Sequence, residues 1–351
     1  MARRVLAWLR ARPVRRGVAL ACAIAALVLG PPGAADAVRA TTLETALEDV
    51  ISRAPSGRET VVSWTFPFKH ARCRVSITVD LAEAEATDAL DTSVLFQSTG
   101  WMRRLSISRV VELQQQSPAV RALAEEFRRM RDARGLDDDE YLELMTAAVQ
   151  AIPYGEPVAD IALPAAMLVS GSGVCTEKSI LLGTLLALEG YDTVLWVFDG
   201  ERHVALGVAS EHARFRDTGY AFVETTARCY IGQVGHSYQF PALTARQPQQ
   251  IALGGTRAYT AGDQVETILS HLRRLQGVRT LAASYVAHAR TPSMYQRRYA
   301  ERALEAWAAD GLTSYILRST HDRGSVYGTL ELLGAYGAAA DEGEAELPPP
   351  G

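Results

Sequence analysis

Residues 175–225 place the tightest limit on what this chain can fold into. The run 175–189 (CTEKSILLGTLLALE) is its most apolar helical stretch, and Gly190 stops it. A helix that is apolar nearly all round must be buried. Three strand-like runs follow, at 193–198 (TVLWVF), 203–208 (HVALGV) and 219–225 (GYAFVET). Short turns join them, with no crossover helix between, so the strands are expected to pair antiparallel. The expected class is α+β: one buried helix laid against an antiparallel sheet.

The rest of the chain is read around that centre. Residues 60–66 alternate with Val62, Trp64 and Phe66 on one face, and 72–79 alternate with Cys73, Val75, Ile77 and Val79 on one face. Period-two patterning of this kind predicts half-buried strands, here a hairpin turning through 67–71. Ser117-Pro118 opens a helix that Gly135 closes, with Val120, Leu123, Phe127 and Met130 as its apolar stripe. Asp137, Asp138, Asp139 and Glu140 start another, which carries Leu142, Met145 and Val149 inward and ends near Pro153. Three amphipathic helices are expected at 263–288, 295–309 and 325–338. They form a helical C-terminal region over 240–339, before an acidic, Pro-rich tail at 340–351.

The N-terminus reads as an address. Six arginines among the first 16 residues precede an uncharged apolar run of 13 at 17–29, then Pro31-Pro32-Gly33 and Ala35-Asp36-Ala37. This is the three-part pattern of a secretory signal, with cleavage expected after Ala37. Residues 38–59 then serve as a linker with a short helix, and 60–239 form the main domain. The expected location is secreted or periplasmic, or else N-terminally membrane-anchored. No apolar run reaches the ~18 residues of a membrane span, so no stable span is expected once the signal is removed.

Charge narrows the partners. The chain has 34 Arg, only two Lys (Lys69 and Lys178) and a net charge of −4. Without residues 1–37, 30 basic residues face 39 acidic ones, a net −9. Nucleic acid is therefore an unsuitable partner. No cofactor or metal is expected, because the run 137–140 lacks the spaced ligands and central glycine of a calcium loop. Cys73, Cys175 and Cys229 remain after removal of the signal, an odd number, so at least one thiol is left over. Cys73 and Cys229 are not expected to form a disulfide.

Cys175 is the thiol whose setting suggests chemistry. It follows the small-residue loop Ser170-Gly171-Ser172-Gly173 and opens the buried helix. There, unpaired N–H groups and partial positive charge favour a thiolate and could hold an acyl oxyanion. His203 starts a strand on whose own face only Ala205 and Gly207 follow, which suggests the floor of a cleft. Glu224 lies in line with Tyr220 and Phe222, placed to accept a bond from an imidazole. A thiol, a base and an acid in this order are the three roles of a nucleophilic triad.

These residues also carry a resemblance. GVCTEKSILLGTLLALEGY from Gly173, ERHVALGV from Glu201 and YAFVETTA from Tyr220 resemble the transglutaminase-like superfamily, in its bacterial and archaeal branch. The helix end VQAIPY at 149–154 and the Trp64 hairpin are similar too, so the resemblance covers roughly 60–235. It implies a cysteine-peptidase-like core with Cys175 as nucleophile, His203 as base and Glu224 as third member. By motif position, Gln150 would be the side chain beside the oxyanion, while Thr225 and Thr226 would carry no chemistry. It further implies acyl transfer through a thioester on a protein or peptide substrate, by a protease, an amidase or a transglutaminase. On this reading, Glu224→Gln is milder than loss of Cys175 or His203. The alternative is a non-catalytic binding or scaffolding module of the cell envelope, with the late helices docking a protein partner.

Overall fold

The structure is a computed structural model. It describes residues 34–266 apart from 69–70, 99, 157–159, 228, 235–242, 244–247 and 264. Residues 1–33 of the signal expected at 1–37, all of the first late helix expected at 263–288 beyond residue 266, the other two expected helices and the expected tail at 340–351 lie outside the described residues. Helix α1 (Ala34–Ile51) runs through the expected cleavage point and most of the stretch read as a linker.

The chain is a mixed α+β protein with antiparallel sheets. Strands β1 (Glu59–Phe68) and β2 (Ala71–Asp80) form a two-stranded hairpin with Trp64 opposite Val75 and Phe66 opposite Cys73. Phe66, Cys73, Val75, Ile77 and Val79 are buried, and the alternate residue Val61 is exposed. Helices α2 (Leu81–Asp88), α3 (Val94–Gln97) and α4 (Gly100–Gln114) come next. None of these three was marked by the sequence reading. Helix α5 (Pro118–Arg134) has Ser117 as its N-cap, accepting from the Val120 N–H, and a left-handed Gly135 at its end.

Helix α6 (Asp138–Gln150) begins with a reciprocal capping box between Asp137 and Glu140. Its acidic start is fully employed in structure. Asp138 pairs with Arg257, and Asp139 accepts from Thr260 N–H and O–H. Among the described residues no cluster of potential metal ligands occurs. The Trp64 indole N–H donates to the Ala148 carbonyl at 2.9 Å, which ties the hairpin to α6.

Helix α7 (Pro164–Ser170) leads into α8 (Cys175–Leu188), whose Ile180, Leu181, Leu182, Leu185 and Leu186 are all fully buried. The main sheet lies against it. Strands β3 (Thr193–Phe198), β4 (His203–Ala209) and β5 (Tyr220–Val223) pair antiparallel. A fourth strand, β6 (Gln249–Gly254), joins β3 on its other edge, giving the order β5-β4-β3-β6. This corrects the boundary expected at residue 239/240. The main unit continues past 240, through β6 to the buried Tyr259 and Val265. The segment escaped because QQIALG is too short and too polar at its start to show alternation. Among the described residues no helix is long and apolar enough to cross a membrane.

The two faces of this sheet bury different things. Val204, Leu206 and Val208 belong to the main core. On the other side Val194, Trp196, Phe198, Ala205, Phe215 and Phe222 form a second buried cluster. The small residues of β4 are therefore not the floor of a cleft. A Cβ on Gly207 would stand 2.7 Å from the Trp196 ring, so the glycine is the space into which the indole packs. Gly207→Ala should accordingly destabilise the fold by about 1–3 kcal/mol through overpacking, read as a lower midpoint in urea denaturation. An unchanged midpoint would show that Trp196 can move aside.

Candidate active site

The start of α8 is built by the loop in front of it. Gly173 N–H donates to the Pro153 carbonyl at 3.0 Å, and Gly155 N–H donates to the Gly173 carbonyl at 3.2 Å. The segment 153–155 is thus strapped to the residues that precede Cys175, with Tyr154 between the two bonds. A Cβ on Gly173 would stand 2.5 Å from the Met167 side chain, so a larger residue there would have to displace that methionine. Val174 is the N-cap and has no side-chain acceptor. Glu177 instead turns back, accepting from the Val174 N–H at 2.9 Å and the Ala162 N–H at 2.7 Å. Cys175 is the first helical residue, where main-chain N–H groups have no partner within the helix.

Cys175, His203 and Glu224 come together and are 7%, 1% and 3% exposed. His203 Nε2 lies 3.0 Å from Glu224 Oε2. With Nε2 held by the carboxylate, Nδ1 is the ring nitrogen left for the Cys175 thiol, and the two side chains interact electrostatically. Burial by itself would raise the Cys175 pKa. The His203 hydrogen bond and charge, with the Val204 N–H, outweigh it and lower the thiol below its ordinary value. Burial likewise opposes the His203 charge, but its bonds to Cys175 and Glu224 push the imidazole up to about 9. Glu224 is lowered, because the bonds from His203 and Thr226 exceed the cost of burial. Opposite shifts on a neighbouring thiol and imidazole favour the charge-separated form of the pair.

The carboxylate is held at both ends. Glu224 Oε1 accepts from Thr225 N–H at 3.0 Å, Thr226 N–H at 2.9 Å and Thr226 Oγ1 at 2.7 Å. Thr225 and Thr226, expected to be bystanders, therefore aim the acid at the histidine. The Thr225 hydroxyl also meets Ser179 Oγ at 3.1 Å, one turn along α8 from Cys175.

Gln150 is placed differently from expectation. Its Nε2 donates to the main-chain carbonyls of Glu224 at 2.9 Å and Cys229 at 3.0 Å. Both amide hydrogens are spent on the backbone, so Gln150 is a brace for the acid-bearing turn and not an oxyanion donor. The side chain that does stand at the sulfur is Tyr154. Its hydroxyl accepts from the Cys175 N–H and bonds the thiol, and burial followed by the nearby sulfur raises its pKa. Tyr154 lay in the quoted VQAIPY run, but nothing in its spacing marked it as closer to the thiol than Gln150. Cys73 and Cys229 are buried thiols outside any disulfide. Burial raises both, Cys229 to about 12.

No family model, no curated protein and no solved structure matches this chain.

The charges set a pH dependence. A depressed thiol pKa means that Cys175 loses its proton at a lower pH than it would in the unfolded chain. Its alkylation by iodoacetamide, followed by mass spectrometry across a pH series, should therefore have a midpoint below that of the same cysteine in the unfolded chain. His203→Ala removes the groups that outweigh burial, so the midpoint should move upward past it. Cys73 and Cys229 should stay unlabelled in folded protein. A wild-type midpoint at the ordinary thiol value would remove the ion pair.

Proposed function

We propose that this chain is an exported, cysteine-dependent acyl-transfer enzyme with a transglutaminase-like, cysteine-peptidase-like core, acting on an amide of a protein or peptide. One observation carries the reading: a thiol at a helix start, an imidazole and a carboxylate form a continuous buried chain, with pKa shifts that favour the charged nucleophile. The motif order around Cys175, His203 and Glu224 supports it independently.

Cys175 thiolate attacks the amide carbonyl, forming a C–S bond and moving the carbonyl electron pair onto oxygen. The oxyanion takes over the Cys175 N–H from the Tyr154 hydroxyl. The phenol, whose sulfur partner has lost its charge, turns its O–H to the same oxygen. Two donors then stabilise charge that exists only after attack, which is where stabilisation accelerates the step. Collapse breaks the C–N bond, and His203 imidazolium gives its proton to the departing nitrogen. Water resolves the thioester in a protease or amidase, and a second amine resolves it in a transglutaminase. His203 takes the proton of either nucleophile.

Glu224→Gln should be severe rather than mild. Three donors converge on Oε1, so a glutamine there must present its carbonyl to them and its NH₂ to His203. The imidazole is then forced to accept at Nε2 and carries its proton on Nδ1, facing the sulfur. The wrong tautomer lowers kcat by about 10⁴ in a serine triad. A loss of about 10³–10⁴ is expected here, with Cys175→Ala below detection and the fold retained in both. The assay is incubation with a proteome-derived peptide library plus a biotinylated primary amine. New N-termini identify hydrolysis and biotin incorporation identifies transamidation. If wild type and Cys175→Ala give the same peptides, the enzyme reading falls and the binding module stands.

A further inference from the structure

Lys178 is one of only two lysines in the chain, and its side chain is completely buried. It sits on α8, one turn beyond Cys175. Its Nζ donates to the carbonyls of Ile152 at 2.7 Å and Gln150 at 3.3 Å. These are carbonyls at the C-terminal end of α6, where helix acceptors lack partners and partial negative charge collects. Burial pulls the ammonium down to about 8, and the Glu224 charge opposes that fall.

The placement of those two carbonyls is informative. Ile152 stands two residues before Tyr154. The next carbonyl, of Pro153, is held by Gly173 N–H, and the Gly155 N–H is held by the Gly173 carbonyl. Tyr154 is thus fixed to the loop in front of the nucleophile on both sides, and fixed to the nucleophile's own helix through Lys178.

We propose that Lys178 is a positioning residue that locks the Tyr154 segment to helix α8, so that the phenol stands where the acyl oxyanion forms. The inference rests on the acyl-transfer reading and adds to it a residue that touches neither substrate nor sulfur.

The test compares two small reagents that need no substrate recognition. p-Nitrophenyl acetate acylates Cys175 through a tetrahedral oxyanion, forming C–S and releasing nitrophenolate. Iodoacetamide alkylates the same thiolate by displacement of iodide, with no oxyanion. Rates at Cys175 are measured by mass spectrometry in wild type, Lys178→Met, Lys178→Gln, Tyr154→Phe and the Lys178→Met/Tyr154→Phe pair, with thermal midpoints alongside. Lys178→Met should slow acetylation about tenfold, below the ~10²-fold or more that loss of a direct oxyanion donor costs. Its alkylation should stay within about twofold of wild type. Lys178→Gln, which keeps a donor, should fall between, and the double variant should be no slower than Tyr154→Phe.

Equal slowing of both reagents, an unchanged ratio, additive losses in the double variant, or failure of both Lys178 variants to fold would each overturn the proposal and leave a structural lysine. If wild-type Cys175 reacts with neither reagent, the acyl-transfer reading itself falls, and this inference with it.

Discussion

A buried carboxylate needs every one of its lone pairs answered, and Glu224 is where this structure meets that demand. It is taken almost wholly out of water, so without partners it would protonate and lose the charge that holds His203. Two main-chain N–H groups and one hydroxyl converge on Oε1, leaving Oε2 to His203. The division is asymmetric in a useful way. One oxygen is fixed by the backbone of its own turn, and the other is thereby aimed. The histidine, held at Nε2, then has a defined nitrogen to turn toward sulfur. Orientation passes from a turn in the backbone to a reactive atom through two rigid planar groups.

Helix α8 does for Cys175 what that turn does for Glu224. It presents Cys175 at its first position, and on the following turn it sends out the fully buried polar side chains of Lys178 and Ser179. Ser179 Oγ meets the Thr225 hydroxyl and donates to the Val204 carbonyl at 3.3 Å, linking the helix to the ends of β5 and β4. Lys178 reaches the opposite way, to the end of α6. Gln150, the last residue of α6, closes the circuit by holding the Glu224 and Cys229 carbonyls. Helix, acid turn and tyrosine segment are therefore joined by direct polar contacts in a dry interior. There such bonds are strong, and a missing one is costly.

Much of this was legible in the sequence, and the division is physical. Patterns that depend on local repetition were readable. Ser117 and Gly135 bound α5 as expected, and the alternation at 72–79 placed Cys73, Val75, Ile77 and Val79 inside. Cys175 opens its helix as expected, whereas the cleft floor expected beside His203 is filled by Trp196 and Glu224 lies just past its strand. What stayed hidden depends on partners far away in the chain. β6 shows little alternation of its own and is a strand because β3 has an open edge. Gly207 looked like open space because the sequence does not show Trp196 folding over it. Gln150 and Tyr154 are four residues apart, and only the path of the chain after α6 decides which of them reaches the sulfur. For the same reason a lysine inside an apolar helix could be read as an irregularity, though it meets a helix end some 26 residues earlier.

The choice of glutamate over the shorter aspartate follows from where β5 ends. The strand stops at Val223, and the next residue must turn its backbone N–H groups inward at 225 and 226 to receive the carboxylate. The acid therefore starts from a bending chain, outside the strand, and has two distances to cover at once. One oxygen folds back to the turn and the other crosses to His203 at 3.0 Å. An aspartate on the same backbone would fall about 1.5 Å short of one or the other, the length of one C–C bond. The extra methylene is what allows a carboxylate rooted in a turn to serve a histidine on the neighbouring strand. Its added rotational freedom is removed by the three donors at Oε1, so the longer side chain is as firmly aimed as a shorter one rooted in a strand would be.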